Sequence, residues 1–170
     1  KSMNFCKTWK TRPEILLMVM AAAMPIAFWA WVVLLNNFTV EVASFTGKEI
    51  GILQSLREVP GFLSFLVVYL LLIIAEQRLA LLSLFILGVG VALTGYFPTI
   101  IGLYITTVIS SIGFHYYEAC HQSLSLQWLD KKTAPERMGL IYSVASVAKF
   151  LVLGAIFTVY LLSLPEISWQ

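Results

Sequence analysis

The chain has 170 residues, 59% of them apolar and 12% formally charged, with a net charge of +2 and a mean hydropathy of +0.87. A water-soluble domain needs a polar face on every surface helix, and this composition cannot supply one. Cys6 lies in a basic segment and Cys120 in an apolar one, so no disulfide framework is expected.

Taken in chain order, the apolar runs predict five membrane-crossing helices. A hydrocarbon core about 30 Å thick needs roughly 20 helical residues. Lys7, Lys10 and Arg12 precede 26 uncharged residues, Ile15 to Val40. That run is too long for a signal peptide and marks a first helix over about 13–36, with Pro13 in its first turn and Pro25 a kink. A second helix, 47–75, opens on Thr46-Gly47-Lys48-Glu49, which has capping-box spacing. From Leu79 to Tyr117 there are 39 residues without a charge, broken only by Gly95-Tyr96-Phe97-Pro98. Gly and Pro there suit a helix end and a restart, giving a third helix at 79–93 and a fourth at 99–129. A fifth covers 135–162. The fold class expected is all-α, a polytopic membrane helical bundle forming one transmembrane domain over 1–170.

Basic residues in the short connections set the orientation. Lys1, Lys7, Lys10, Arg12, Arg78, Lys131, Lys132 and Arg137 fall on one side, and Lys48 alone on the other. This predicts a cytoplasmic N-terminus in a bacterial inner or plasma membrane. Trp9, Tyr96, Trp128 and Trp169 suit an interfacial belt.

Arg57, Glu58, Glu118 and Lys149 fall well inside the helices. Each such group near the bilayer centre costs about 2.5–3.5 kcal/mol on insertion scales and is kept only against protein or a watery cavity. His115, Glu118, Gln122 and Ser125 share one stripe of the fourth helix. Gln54, Arg57, Gly61 and Ser64 do so on the second, and Tyr142, Ser146 and Lys149 on the fifth. Together the three stripes would line a polar cavity. In that reading Arg57 and Lys149 hold an anionic group or a counter-carboxylate, and Glu118 is the protonatable coupling group. The alternatives are a structural Arg57–Glu58 pair, a snorkelling Lys149 and a direct Glu118–Lys149 ion pair. Trp29, Trp31, Tyr116 and Tyr117 are candidates for stacking on a flat substrate. His115, Glu118 and His121, with Cys120 beside them, contain metal-ligand types, and Glu-x-x-His resembles half of a di-iron site. No second ligand helix accompanies it, so neither a metal nor another cofactor is expected.

From Phe45 onward the pattern resembles the N-terminal half of the major facilitator superfamily. Thr46-Gly47-Lys48-Glu49-Ile50-Gly51-Ile52-Leu53-Gln54-Ser55 is similar to that family's lead-in to its second helix. Leu129-Asp130-Lys131-Lys132-Thr133-Ala134-Pro135-Glu136-Arg137-Met138-Gly139 resembles its basic 4–5 loop, and Gly113 matches a helix-4 glycine. The chain departs from the pattern in three places. Ala75-Glu76-Gln77-Arg78 replaces the Asp-Arg loop between helices 2 and 3. Ile109 stands where an arginine often does, and Gly154 is followed by Ala155 rather than Pro. The resemblance implies twelve helices in two bundles with substrate at the midplane between them, of which this chain supplies helices 1 to 5. The expected function is secondary active transport of a small solute by alternating access, with proton symport through Glu118. Its expected partners are the solute, protons, the lipid bilayer and a missing C-terminal half or partner chain, with no nucleic acid. A non-transporting scaffold or receptor subunit is the alternative. The protein is not expected to be an enzyme, and no P-loop points to an ATP-driven pump.

Overall fold

A computed structural model of the chain describes residues 13–163. Lys1, Lys7, Lys10, Arg12, Cys6, Trp9 and Trp169 lie outside the described residues. Five helices are long and apolar enough to cross a membrane: α1 Pro13–Glu41, α2 Gly47–Leu71, α3 Glu76–Thr94, α4 Ile100–Trp128 and α5 Ala134–Ser163.

The ends of these helices follow from local chemistry. α1 continues past Asn36 and Asn37, further than its sequence predicts, and runs unbroken through Pro25. Thr39 remains helical while its hydroxyl donates to the Asn36 carbonyl at 2.8 Å. The chain then leaves the helix through Ser44 at φ 54°, the left-handed turn that commonly ends helices. Thr46 starts α2 as its capping spacing predicts, with its backbone N–H donating to the Glu49 carboxylate at 2.5 Å.

Within α2 the backbone tightens to a 3-10 turn over Leu63–Leu66 before Val67–Leu71 resumes the α form, and the helix ends short of the predicted Ala75. Pro60 lies just upstream, where it removes one backbone donor, and Gly61 follows it. The α3–α4 turn falls where expected. Gly95, however, keeps φ −70° and uses none of glycine's left-handed freedom, and Thr99 closes the turn by accepting from Gly102 N–H at 3.1 Å.

α3 and α4 form the most extensive helix pair, α5 packs chiefly on α1, and α2 packs on α4. The α3–α4 seam is built from small residues, which let backbones approach where lipid offers no hydrophobic drive for association. Gly90 faces the Ser110 backbone, and Gly113 faces the backbone of Ser83 and Leu87. Buried hydroxyls are satisfied locally, as where Ser110 donates to the Thr106 carbonyl at 2.9 Å. Trp31 Nε1 donates to Thr94 Oγ1 at 3.1 Å, tying α1 to α3.

The apolar core is in two parts. One gathers Leu17, Met20, Leu79, Tyr117, Leu124 and Ile141 near one end of the bundle. The other gathers Trp31, Leu35, Phe45, Leu53 and Leu103 near the opposite end. Outside the core, Phe62, Ile73, Phe85 and Phe150 are widely exposed, and α5 buries only Ile141 and Ala148. An apolar exterior of this extent suits lipid.

Candidate functional site

Between the two core clusters lies a cavity of about 220 Å³ lined by Phe28, Trp29 and Val32 of α1, Arg57 and Glu58 of α2, and Phe114 and His115 of α4. A larger groove of about 570 Å³ runs between α1 and α5. Its lining, Val33, Leu34, Leu153, Ile156 and Phe157 among others, has no ionisable side chain apart from the Tyr160 phenol. Of these two, the smaller carries the charged and imidazole side chains, while Gln122 lies with His121 and Tyr142 at a third, much smaller cleft.

Helix packing makes that cavity. The His115 ring lies directly over Gly61, where a Cβ would come within 2.7 Å of Cε1 and 2.8 Å of Nε2. Any larger residue at this position of the α2 stripe would push the imidazole out of its present place. Ser111 donates its hydroxyl to the Arg57 backbone carbonyl, fixing α2 against α4 just beside the site. Phe28 and Phe114 stack at 4.1 Å between ring centroids with planes 14° apart. The pair forms an apolar wall that bridges α1 and α4.

The charged groups meet at this wall. Arg57 donates from Nε and Nη2 to one oxygen, Oε1, of Glu58, at 3.0 Å each. The two side chains are 29% and 63% exposed. From α5, Lys149 places Nζ 3.5 Å from the centroid of the Trp29 ring, a cation–π contact that brings a third charged helix to the same aromatic wall.

Depth adds to this picture. Trp29 is residue 17 of 29 in α1, Arg57 is 11 of 25 in α2, His115 is 16 of 29 in α4 and Lys149 is 16 of 30 in α5. Each lies within about two residues, or about 3 Å of helical rise, of its helix midpoint.

Of the six candidates named from the sequence, Arg57, Glu58 and His115 line the cavity, and Lys149 joins through Trp29. Glu118 and Gln122 do not. Glu118 is half-buried about one turn along α4 from His115. The alternative of a direct Glu118–Lys149 ion pair is not formed: among the described residues only Arg57–Glu58 and Glu14–Arg137 are in salt-bridge contact. Lys149 is turned to Trp29 instead.

The metal alternative of His115, Glu118 and His121 is not gathered. His121 is buried with Nε2 3.2 Å from the Leu17 carbonyl, while His115 faces Gly61. No group of three or more His, Cys, Asp or Glu side chains comes together for a metal among the described residues. The stripe of α5 also splits, since Tyr142 and Ser146 are exposed.

Among the aromatic candidates, Trp29 belongs to the site. Trp31 and Tyr117 are packing residues, and Tyr116 lies against the core cluster containing Tyr117. Phe28, Val32 and Phe114 were not anticipated. The clustering of Phe28 beside Trp29, and of Phe114 beside His115, was the available signal. No family model, curated protein or solved structure matches the chain.

Proposed function

We propose that this bundle is the N-terminal half of a secondary active transporter that moves a small solute by alternating access. The observation that carries this reading is the mid-depth cavity, where Arg57, Glu58 and His115 stand together against a wall of Phe28, Trp29 and Phe114. Ionic side chains at that depth are costly against lipid and are retained where they face protein or water. Binding at the midplane between two halves is the arrangement carriers use. The rest of the cavity would come from a second bundle, in the same protein or a partner chain. The orientation is the one given by the basic loops, with residue 13 on the cytoplasmic side, and Glu118 serves as the coupling carboxyl one turn below the site.

The test is solute flux in liposomes containing the full-length protein under an imposed proton gradient. Uptake should occur in the wild type, and Glu118→Gln should lose gradient-driven accumulation while retaining exchange. No flux of any small solute, from protein that still binds one, would assign the bundle to a receptor or scaffold instead.

A further inference from the structure

The manner in which Arg57 is paired identifies the class of ligand. A guanidinium fork pairs best with both oxygens of a carboxylate, yet Glu58 offers it only Oε1. Residues adjacent on a helix project about 100° apart, so Glu58 must reach sideways around its own helix to fill the fork. Its carboxylate is the more exposed partner, at 63%. An incoming carboxylate could approach Arg57 head-on and engage it through two oxygens.

The surroundings favour an anion with a flat apolar body. Arg57 and Glu58 balance each other within the cavity lining, and Lys149, held against Trp29, adds a positive charge next to it. Among the described residues Lys149 has no carboxylate within salt-bridge distance. A cationic ligand would seek the face of an indole, and Lys149, 3.5 Å from the Trp29 centroid, already occupies one face of that ring and would repel a second cation beside it. The stacked Phe28–Phe114 pair and Val32 offer apolar surface beside the guanidinium. The part of the cavity formed here, about 220 Å³, equals roughly seven waters at about 30 Å³ each, which is room enough for a single ring.

We infer that Glu58 stands in for the carboxylate of the substrate. The cavity takes a small aromatic monocarboxylate, whose carboxylate displaces Glu58 from Arg57 while its ring packs beside the Phe28–Phe114 stack. This rests on the carrier reading only in taking the cavity for the substrate site.

The test is calorimetric titration of the full-length protein in lipid nanodiscs with benzoate, benzyl alcohol and benzylammonium, three probes sharing one ring and differing in charge. Benzoate should bind saturably and the other two at least about tenfold more weakly. Arg57→Gln should weaken benzoate by about tenfold or more. Glu58→Gln should bind it about threefold tighter, because the competing carboxylate is gone and more of the protein is binding-competent. No benzoate binding, benzylammonium binding as tightly as benzoate, or weaker benzoate binding by Glu58→Gln would each overturn the inference. The wild-type probe series decides even if a variant fails to fold. Benzoate binding without flux would leave the inference standing and remove the carrier reading. Flux of another solute by protein that ignores benzoate would do the reverse.

Discussion

Gly113→Ala tests the seam that holds α4, and with it His115, in place. A Cβ at residue 113 would meet the Ser83 carbonyl oxygen at 2.7 Å and the Leu87 Cα at 2.8 Å, and would press on the Leu87 backbone nitrogen. Ordinary contact begins near 3.4 Å, so the two helices must part by at least about 0.7 Å, and by more at the Leu87 nitrogen. The obstructing atoms are backbone and cannot rotate away. Overpacking of this kind costs about 1–3 kcal/mol, a factor of about 5 to 150 in the folded-to-unfolded ratio. Reversible unfolding in mixed micelles measures the loss directly. Gly88→Ala is the matched control in α3, since nothing lies within 4 Å of a Cβ there. Alanine in place of an unobstructed helical glycine should be neutral or stabilising by up to about 1 kcal/mol. If Gly113→Ala proves as stable as Gly88→Ala, α3 and α4 do not approach through their backbones as described.

Trp31→Phe removes the buried bond to Thr94 and should cost about 0.6 to 1.7 kcal/mol in the same unfolding assay, the range for hydrogen bonds between membrane helices. Tyr117→Phe should be neutral or stabilising, because the Tyr117 hydroxyl is buried with no hydrogen-bond partner and its removal leaves no new polar group exposed to the core. A loss above about 1 kcal/mol would mean that a partner exists. Arg137→Ala breaks a 3.3 Å pair with Glu14 whose side chains are 42% and 40% exposed, so stability should change by less than about 1 kcal/mol.

The helices were legible because length and apolarity are properties of each segment alone. α3, α4 and α5 begin and end within three residues of their predicted bounds. α1 outran its prediction at Asn36 because a polar residue near a helix end can remain helical. α2 contains a 3-10 turn just after Pro60 and Gly61, which apolar periodicity does not register, and it ends four residues short of Ala75. The stripes told which side chains share a face of one helix, not which neighbour that face meets. Arg57 and His115 came together because Gly61 opens space for the imidazole, and this needed the α2–α4 contact to be seen. Lys149 has no such marker in the sequence, and Glu118 looked a plausible partner until α5 proved to pack on α1, where Trp29 meets it. The small-residue seam of α3 and α4 was present as Ser83, Gly90, Ser110 and Gly113, but hidden among residues that also read simply as weakly polar helix.

Water at mid-membrane depth beside Arg57 is measured most directly by thiol labelling. Val32→Cys on a cysteine-free background (Cys6→Ser, Cys120→Ala) places a thiol on the cavity wall, and Phe85→Cys places one on the exposed face of α3 near its middle. In liposomes, a charged membrane-impermeant maleimide should modify Val32→Cys and spare Phe85→Cys. Equal protection of both would mean that the cavity is sealed and dry, and Arg57 and Glu58 would then be a structural tie with no path for a solute.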